Sequence, residues 1–424
     1  MDIRAQLIGY PRIGRNRESK WALERAWSGR MEPEAFATRI AELRDAHLAE
    51  QREAIGSAVD DYFLYDEVLE TAMMLGIAPA ADASRIKDGA FGVLTALARG
   101  TPEREAWEMT KWFDTNYHYV VPEIEGPIQP LRPLPWREPV GDADVTWAVL
   151  GPYSLIKLSK LADGLDAGNL ARSAGGALWT WIREQAAVDR KFSIQLNEPW
   201  LGMVMTEDDI ALRDAAYGGS ENLGMAQTPI VTVQFGRAAA ETVETLGRHG
   251  FAVQVPVASV QELRETPAWD AQPEHVIAVM DGRSVWPDDF ETARAALDGT
   301  DDGRTVRIVP STSLMFLPVT VEGEDLPAGF QFAREKARAL ARWPEALASG
   351  TAPEVPQPAP VEWPEIGALQ SRAARGERRS AQADLNLPPY PTTTTGSLPQ
   401  TTEVRHCASS STRASWIGPP TTPR

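Results

Sequence analysis

The sequence predicts an α/β fold, a (β/α)8 TIM barrel, because short runs of β-prone residues alternate eight times with other stretches, most of them helical. Several of these runs are continuously apolar, which is typical of parallel strands buried on both faces. A doubly wound sheet is the competing topology, but it requires a glycine-rich fingerprint after the first strand, and the sequence there is PRIGRNRES. The predicted strands are Leu7–Tyr10, Tyr62–Tyr65, Thr146–Leu150, Phe192–Leu196, Ile230–Phe235, Ala252–Val255, His275–Met280 and Thr305–Val309.

Helical stretches separate the predicted strands. A further long helix, about Gly329–Arg342, should close the barrel. Pro344 is expected to end it, because a proline disfavours helical backbone at the residue before it. The clearest helices between strands are Pro33–Ile55, Asn169–Val188 and Ser259–Thr266.

An aromatic segment, Met109–Glu123, lies between the second and third predicted strands and is too long for a plain connection. We interpret it as a β-hairpin insertion laid over the barrel mouth, and a buried hairpin with a purely structural role is the alternative. Asp114 and His118 could act as general acid and base, but as wall residues they would only hydrogen-bond within the hairpin. The segment places one cation, Lys111, among Trp112, Phe113, Tyr117, His118 and Tyr119.

Cations cluster after the first predicted strand, at the end of the barrel where chemistry usually sits. Cations at the start of a helix oppose the helix dipole. An anion that gathers them is a good explanation, since a helix N-terminus with arginine and lysine holds carboxylate or phosphate groups. A solvated charged face is the alternative. With the lysine of the hairpin, the cluster comprises Arg12, Arg15, Arg17, Lys20 and Lys111.

The composition argues against several classes of function. A formal net charge of −17 does not suit a nucleic-acid-binding protein, which needs a basic face. No apolar run approaches the roughly 18 residues of a membrane span, and the N-terminus has no secretory signal. The single cysteine, Cys407, excludes a disulfide framework, and the five histidines are not paired at metal-ligand spacing. We therefore expect a cytoplasmic protein without a metal site, and a monomer.

The chain changes character after the predicted barrel. The segment SGTAPEVPQPAPVEWPE contains too many prolines for a regular helix and is predicted to be a stiff linker, in which Ile366–Leu385 could form a charged surface helix. We divide the chain into a barrel (residues 1–350), a linker (351–386), the truncated start of a second barrel (387–405) and a tail (406–424).

Three stretches together carry a family resemblance: GYPRIGRNRESK, MTKWFDTNYHYVVPE and LPPYPTTTTGSLPQTTEVR. The chain resembles cobalamin-independent methionine synthase from about residue 5 to residue 405, over the first of that family's two barrels and the opening of the second. The resemblance implies methyl transfer from 5-methyltetrahydropteroyl-polyglutamate to homocysteine, in which zinc and not cobalamin activates the homocysteine thiol.

The resemblance also implies site residues. It places the folate tail on Arg17, Glu18, Ser19, Lys20 and Lys111, with Ser19 where the family usually has leucine. A vestigial homocysteine contact falls on Thr395, Gly396 and Ser397, with Thr395 where the family has isoleucine. The family's zinc ligands, one His, two Cys and one Glu, all lie beyond residue 405 in the family order. This chain is therefore expected to have no catalytic residue and no metal ligand, and to be inactive alone.

Two other functions remain open at this stage. A stand-alone folate-binding protein would hold the same ligand without chemistry. A retaining glycosidase would use Glu198, within Asn-Glu-Pro at the end of the fourth predicted strand, and needs a second carboxylate about 5 Å away, for which Asp281 is the candidate. A purely structural role for Glu198 at the barrel mouth is the alternative.

The tail, HCASSSTRASWIGPPTTPR, has no apolar periodicity. Back-translated with GC-rich codons and read two bases on, it gives LREQQHAGELDRAAYDAA. The first leucine of this frame follows from His406 and Cys407, and its first aspartate from Trp416 and Ile417, whichever codons encode them. This shifted frame has helical spacing and resembles the family's continuation. We therefore expect residues 406–424 to be a frameshifted ending, which the coding DNA would decide.

Overall fold

The computed structural model describes residues 2–354, 375–388, 390 and 392. The chain divides into two compact units, 1–359 and 360–424. Within the second unit, the described residues form a short helix, Arg375–Ala381, and a 3-10 turn, Ala383–Leu385. Both lie inside the segment predicted to be a surface helix. Most of the predicted linker and second-barrel strand falls outside the described residues.

The first unit contains twelve strands and thirteen α-helices among its described residues. The strands are β1 (Asp2–Ala5), β2 (Ala58–Asp60), β3 (Met109–Lys111), β4 (His118–Val120), β5 (Glu123–Ile124), β6 (Val145–Leu150), β7 (Lys160–Leu161), β8 (Ser193–Asn197), β9 (Ile230–Thr232), β10 (Ala252–Pro256), β11 (His275–Met280) and β12 (Thr305–Pro310). The helices are α1 (Glu18–Trp27), α2 (Pro33–Ile55), α3 (Glu67–Met74), α4 (Ala80–Ala83), α5 (Ile86–Arg99), α6 (Pro152–Lys157), α7 (Ala167–Val188), α8 (Glu207–Tyr217), α9 (Ala240–Arg248), α10 (Val260–Leu263), α11 (Pro267–Ala271), α12 (Phe290–Leu297) and α13 (Ala333–Ser349).

Eight of the strands form one parallel sheet in the order β1–β12–β11–β10–β9–β8–β6–β2. From β2 onward, each of them lies beside the next sheet strand along the chain, and the last, β12, lies beside β1. This is the order of a (β/α)8 barrel opened between its first two strands. The predicted fold class is confirmed.

The segments that follow the edge strands β1 and β2 meet at the carboxyl ends of the sheet. The backbone N–H of Tyr10 donates to Oδ2 of Asp61 at 3.0 Å. A Cβ atom at Gly9 would lie 2.2 Å from Oγ of Ser313 and 2.8 Å from Oδ2 of Asp61, so a side chain there would force its neighbours apart. Loops rather than ladder hydrogen bonds therefore join these two edges at the mouth.

Two of the eight predicted strands were wrong. The first lies at Asp2–Ala5 rather than Leu7–Tyr10, and the second at Ala58–Asp60 rather than Tyr62–Tyr65. The predicted runs are buried, but they lie beyond the ladder and pack into the barrel mouth. Apolar sequence therefore marked burial there and not strand pairing. The other six strands overlap their predictions.

The hairpin prediction is confirmed. β3 and β4 pair antiparallel, with Lys111 opposite His118 and Met109 opposite Val120. Among the helices, α2 has the predicted bounds and α7 begins two residues early. The predicted helix at Ser259–Thr266 is shorter, since only Val260–Leu263 is α-helical.

Helix α13 does not end at Pro344 as predicted, but continues to Ser349. It packs against α2 and β1, and Leu340, Trp343 and Ala346 form its buried face on both sides of the proline. Because this apolar face extends past Pro344, side-chain packing offsets the hydrogen bond that the proline removes.

We expect Pro344→Ala to stabilise the barrel. Alanine restores the N–H that Pro344 lacks and removes the clash of the ring with the preceding turn. We expect the free energy of unfolding to rise by roughly 1–3 kcal/mol. The net gain is smaller by a few tenths of a kcal/mol, because the unfolded chain is more flexible without the proline. Chemical denaturation of both proteins measures this change. Pro33→Ala is the control, since Pro33 is at the first position of α2, where proline is well tolerated. A Pro344→Ala protein less stable than the wild type would contradict this account.

Candidate functional site

The segment after β1 enters helix α1 through a hydrogen-bonded loop, residues 9–20. Arg17, the residue before α1, has left-handed backbone (φ 61°, ψ 38°), which is uncommon for a residue other than glycine. Its N–H donates to the carbonyl of Gly14 at 3.2 Å. The carboxylate of Glu18 accepts hydrogen bonds from the backbone and side-chain amides of Asn16 at 3.0 and 3.1 Å. The loop is therefore held by its own contacts.

Ser19 connects the start of α1 to the barrel. Its hydroxyl donates to the carbonyl of Arg12 at 2.7 Å and lies 2.7 Å from the hydroxyl of Tyr62. Burial raises the pKa of Tyr62 to about 12, so its hydroxyl stays neutral. The neighbouring Lys20 is exposed, with Nζ 5.8 Å from the centroid of the Trp21 ring. The loop thus presents Lys20 outward while Ser19 fixes the backbone beneath it.

The side chain of Arg12 reaches the hairpin. Its Nη2 donates to the hydroxyl of Tyr117 at 2.5 Å and to the carbonyl of Tyr65 at 3.3 Å. Nη1 lies 3.6 Å from the sulfur of Met315. Arg12 is partly buried, and these contacts join the loop to the hairpin.

A cavity of about 310 Å3 lies between the start of α1 and the hairpin. Its volume is at the lower end of the range of small-molecule pockets. Cations, a hydroxyl and an apolar wall meet in it, so it suits an anionic ligand with apolar segments. It is lined by Pro11, Arg12, Ile13, Ser19, Lys20, Leu23, Trp27, Phe63, Leu64, Tyr65, Tyr117 and Met315.

The structure brings only some of the predicted tail-binding residues to this cavity. Ser19 and Lys20 line it, whereas Arg17, Glu18 and Lys111 do not. Arg17 and Lys111 are exposed, and neither side chain has an ion-pair or hydrogen-bond partner among the described residues. Both charges are therefore available to a ligand that extends beyond the cavity. The remaining arginine of the predicted cluster, Arg15, is paired with Glu322 at 3.2 Å.

The aromatic face of the hairpin packs across the barrel mouth. Phe113 stacks on Phe235, with ring centroids 4.9 Å apart and an interplanar angle of 10°. Trp112 is buried and meets Tyr119 edge-on at 5.6 Å. Phe113 also lies 5.9 Å from Trp200, beyond the end of β8. These contacts fix one face of the hairpin and leave Lys111 on the exposed face.

Asp114 and His118, considered above as an acid and a base, make contacts of the wall type. Asp114 forms an ion pair with Arg283 at 2.7 Å, which ties the hairpin to the segment after β11. Nδ1 of His118 lies 3.0 Å from the carbonyl of Asn116 within the hairpin. Both side chains therefore help to hold the hairpin in place.

A buried carboxylate, Asp66, anchors the hairpin from below, and a second, Glu70, holds the segment after β2. The sequence analysis predicted neither role. Asp66 accepts a hydrogen bond from the N–H of Val120 at 3.0 Å. Glu70 accepts one from the N–H of Tyr65 and one from Nε1 of Trp136, each at 2.7 Å. Burial raises the pKa of Asp66 to about 6 and that of Glu70 to about 7. Asp66 stands directly before α3, a helix-cap signal, but nothing in the sequence indicates its contact with the hairpin.

A known protein family matches most of the chain. The family described as "Cobalamin-independent synthase, N-terminal domain" matches residues 4–302. The chain belongs to the cobalamin-independent methionine synthase family. The family resemblance predicted from the sequence is thereby confirmed.

Similar proteins of this family are longer than the chain. The 5-methyltetrahydropteroyltriglutamate–homocysteine methyltransferase of Rhodococcus jostii is 33% identical over 455 aligned residues, which cover 95% of this chain and 58% of that protein. The enzyme of the same name from Herpetosiphon aurantiacus is 32% identical, with 96% of this chain and 59% of that protein covered. The chain spans about 58% of the length of the first of these relatives.

Solved structures of the same family share the fold. A putative vitamin-B12-independent methionine synthase from Listeria monocytogenes superposes with a TM-score of 0.53 at 14% identity, over 82% of this chain and 99% of that one. A B12-independent methionine synthase from a Shewanella species gives a TM-score of 0.50 at 14% identity, over 76% of this chain and 91% of that one. At this identity the likeness concerns the fold alone.

Glu198 lies beneath the barrel mouth and has a structural role. Its side chain is fully buried and accepts hydrogen bonds from the N–H groups of Tyr153 at 3.1 Å and Ser154 at 2.7 Å, and from the hydroxyl of Tyr217 at 3.0 Å. It therefore satisfies N–H groups in the first turn of α6. A Cβ atom at Gly151 would lie 2.1 Å from Oε1 of Glu198, so glycine is needed for this approach.

The glycosidase alternative does not fit this geometry. A catalytic acid must reach the glycosidic oxygen of a substrate, and Glu198 has no exposed surface. Asp281 is exposed and lines a different cavity, of about 310 Å3, with Gln254 and Ser311 among its walls. The family assignment also identifies the chain as a methionine synthase relative and not as a glycosidase.

The remaining predicted site residues, Thr395, Gly396 and Ser397, lie outside the described residues. Cys407, the only cysteine, does so as well. Over residues 2–354 and the described residues of the second unit, no three His, Cys, Asp or Glu side chains are grouped to hold a metal ion. The described residues thus do not fit a zinc centre. In the same part of the chain, no helix is both long and apolar enough to span a membrane.

We expect Glu198 to make the barrel less stable as the pH rises. Burial raises the pKa of Glu198 from an ordinary value near 4.5 to about 7. The folded chain therefore favours the protonated carboxyl group, a stabilisation that is complete below pH 4.5 and is lost as the pH rises through 7. Glu198→Gln should reduce the fall in the free energy of unfolding between pH 5 and 8 by about 2–3 kcal/mol. Denaturant unfolding at several pH values measures this.

Asp209→Asn is the matched control for this experiment. Burial raises the pKa of Asp209, but hydrogen bonds from Lys157 and Thr206 outweigh it and lower the pKa to about 2. Removing this carboxylate should leave the slope between pH 5 and 8 unchanged. An unaltered slope in Glu198→Gln would show that Glu198 is ionised throughout this range.

Proposed function

We propose that this chain binds 5-methyltetrahydropteroyl-polyglutamate and carries the folate-binding half of a methionine synthase. The polyglutamate tail would contact Arg17, Glu18, Ser19, Lys20 and Lys111. The observation that supports this most directly is the cavity beside α1, in which Ser19 and Lys20 meet an apolar wall. The names of the curated relatives include a triglutamate folate and homocysteine as substrates.

Electrostatics favour this location for a polyanionic ligand. The chain has a formal net charge of −17, so a polyanion is repelled by most of its surface. Arg17 and Lys20 are exposed near the N-terminus of α1, where the helix dipole also favours negative charge. Exposed cations next to N–H groups attract the several carboxylates of a γ-linked tail.

The individual residues would contribute in different ways. Lys20 would meet a carboxylate at the cavity and Arg17 one at its rim. Glu18 is occupied by Asn16, so it would contribute its backbone and hold the loop. Ser19 is likewise committed to Arg12 and Tyr62. Lys111, on the exposed face of the hairpin, would take a carboxylate farther along the tail.

We further propose that methyl transfer does not occur on this chain alone. Homocysteine would make only a vestigial contact, with Thr395, Gly396 and Ser397. In the family, zinc activates the homocysteine thiol, but one cysteine and five dispersed histidines do not supply the ligand set. We expect a cytoplasmic monomer. A stand-alone folate-binding protein is the second candidate, and it is favoured by the same cavity.

We expect Lys111→Ala to weaken binding of the triglutamate folate far more than that of the monoglutamate. Lys111 has no partner among the described residues, so its loss leaves no buried charge unpaired. A charge-assisted hydrogen bond contributes about 1.5–3 kcal/mol, which corresponds to roughly 10- to 100-fold in the dissociation constant. Isothermal titration calorimetry with the two ligands measures the ratio of their affinities.

Lys191→Ala is the matched control for Lys111→Ala. It removes the same charge from an exposed lysine just before β8, at the amino-terminal end of the strands and away from the mouth. We expect it to leave both affinities within about twofold of the wild type, because exposed charges this far apart are largely screened. If Lys111→Ala weakens both ligands equally, Lys111 does not bind the tail.

We expect the purified chain to hold no stoichiometric zinc and to form no methionine from methyl-folate and homocysteine. Three or four suitable ligands must converge to hold zinc tightly. Metal analysis after dialysis, together with a methyl-transfer assay in added zinc, checks both expectations. About one zinc per chain that resists dialysis, or measurable methionine formation, would overturn this part of the proposal.

A further inference from the structure

The loop and the hairpin that carry the tail residues are connected by a chain of hydrogen bonds. Ser19 donates to the carbonyl of Arg12 at 2.7 Å, and the guanidinium of Arg12 donates to the hydroxyl of Tyr117 at 2.5 Å. Within the hairpin, the carbonyl of Tyr117 accepts from the N–H of Trp112 at 2.8 Å. Trp112 directly follows Lys111. Hydrogen bonds and adjacent peptide bonds therefore link the two separated cationic segments.

The contact between Arg12 and Tyr117 has a defined geometry. The Tyr117 hydroxyl accepts from Arg12 and donates to the carbonyl of Tyr65 at 3.1 Å, so both of its roles are used. The same carbonyl accepts from Arg12 at 3.3 Å, which closes a triangle of hydrogen bonds. The guanidinium also lies 5.6 Å from the Tyr117 ring and 5.9 Å from the Phe63 ring, within the range of a cation–π interaction.

The charge of Arg12 is already balanced by the protein. It lies within electrostatic reach of the carboxylates of Asp61, Glu67 and Glu70. A guanidinium among three acidic side chains adds little to the attraction of an anionic ligand. The planar geometry of the guanidinium is therefore more important than its charge, since one nitrogen, Nη2, holds both the hydroxyl and the carbonyl.

Resting on the proposed tail binding, we propose that Arg12 and Tyr117 are positioning residues that align Lys111 with Lys20. A tail with several carboxylates gains from two cations only when they stand at the separation that the carboxylates span. The hairpin is an insertion, and its anchors at Phe113 and Asp114 lie on the side facing β8, β9 and β11. The Arg12–Tyr117 contact is the link that sets its position relative to α1.

Tyr117→Phe tests this role, because it removes the hydroxyl and keeps the ring. We expect the ratio of triglutamate to monoglutamate affinity to fall about five- to tenfold, which is the effect of losing one or two hydrogen bonds. The monoglutamate affinity should fall less than the triglutamate affinity, although Tyr117 also lines the cavity. Tyr119→Phe is the matched control. Its hydroxyl, in the same hairpin, donates to the carbonyl of Leu158 at 3.3 Å and does not contact Arg12, so the ratio should stay that of the wild type.

A double-mutant cycle with Lys111→Ala separates positioning from a general loss of structure. If Tyr117 acts by aligning Lys111, the double variant should have a ratio within about twofold of Lys111→Ala alone. Additive losses would overturn the proposal, as would a wild-type ratio in Tyr117→Phe. Arg12→Lys, which keeps the charge but loses the rigid, planar guanidinium that places Nη2 on both acceptors, should lower the ratio in the same way. It provides the test if Tyr117→Phe does not fold.

Failure of the tail site itself gives a different result. A wild-type chain that binds both ligands equally, or neither, overturns tail binding and the positioning role together. A wild-type chain that prefers the triglutamate, with the same preference in Tyr117→Phe and Arg12→Lys, overturns the positioning role alone. Thermal unfolding of each variant shows whether the barrel is intact during the measurement.

Discussion

The barrel mouth depends on buried carboxylates that accept hydrogen bonds from backbone N–H groups. Past the ends of the strands, the chain loses its ladder partners, and a buried N–H without an acceptor costs about 1–3 kcal/mol. Four carboxylates accept hydrogen bonds from such N–H groups: Asp61 from Tyr10, Asp66 from Val120, Glu70 from Tyr65, and Glu198 from the first turn of α6. Asp61, Asp66 and Glu198 each accept in this way from a segment that is distant in the chain. Removing one would release a loop, and the loops carry the candidate site.

The same carboxylates make the mouth electrostatically unusual. Burial raises the pKa values of Asp66, Glu70 and Glu198 to between about 6 and about 7, because there are few cations nearby to stabilise the charged forms. Arg12 is one of those few, and this explains why it is drawn inward rather than left exposed with Arg17 and Lys20. The cationic cluster of the sequence therefore divides in the structure. Its buried member supports the mouth, and its exposed members face solvent.

Sequence pattern predicted the barrel and the hairpin because both depend on local signals repeated along the chain. Six strands were predicted correctly, because their apolar runs coincide with the residues that pair in the sheet. Leu7–Tyr10 and Tyr62–Tyr65 misled because an apolar run reports burial, and at the mouth buried chain need not be paired. Pro344 misled for a related reason, since the backbone preference of one residue was outweighed by the packing of Trp343 and Ala346 against the barrel. Local propensity gives way where tertiary contacts are strong.

The residues of the candidate site were predictable, but their contacts were not. Arg17, Lys20 and Lys111 stand out in the sequence, as do Arg12 and Tyr117, but the contact between Arg12 and Tyr117 does not. Arg12 and Tyr117 are separated by 105 positions, and Asp66 and Val120 by 54. A single sequence does not reveal such pairs, because nothing near either residue in the chain indicates its partner. In a barrel, each loop is attached at its ends to rigid strands and is otherwise free. Contacts between loops therefore decide whether separate cations act as one site, and those contacts come only from the folded chain.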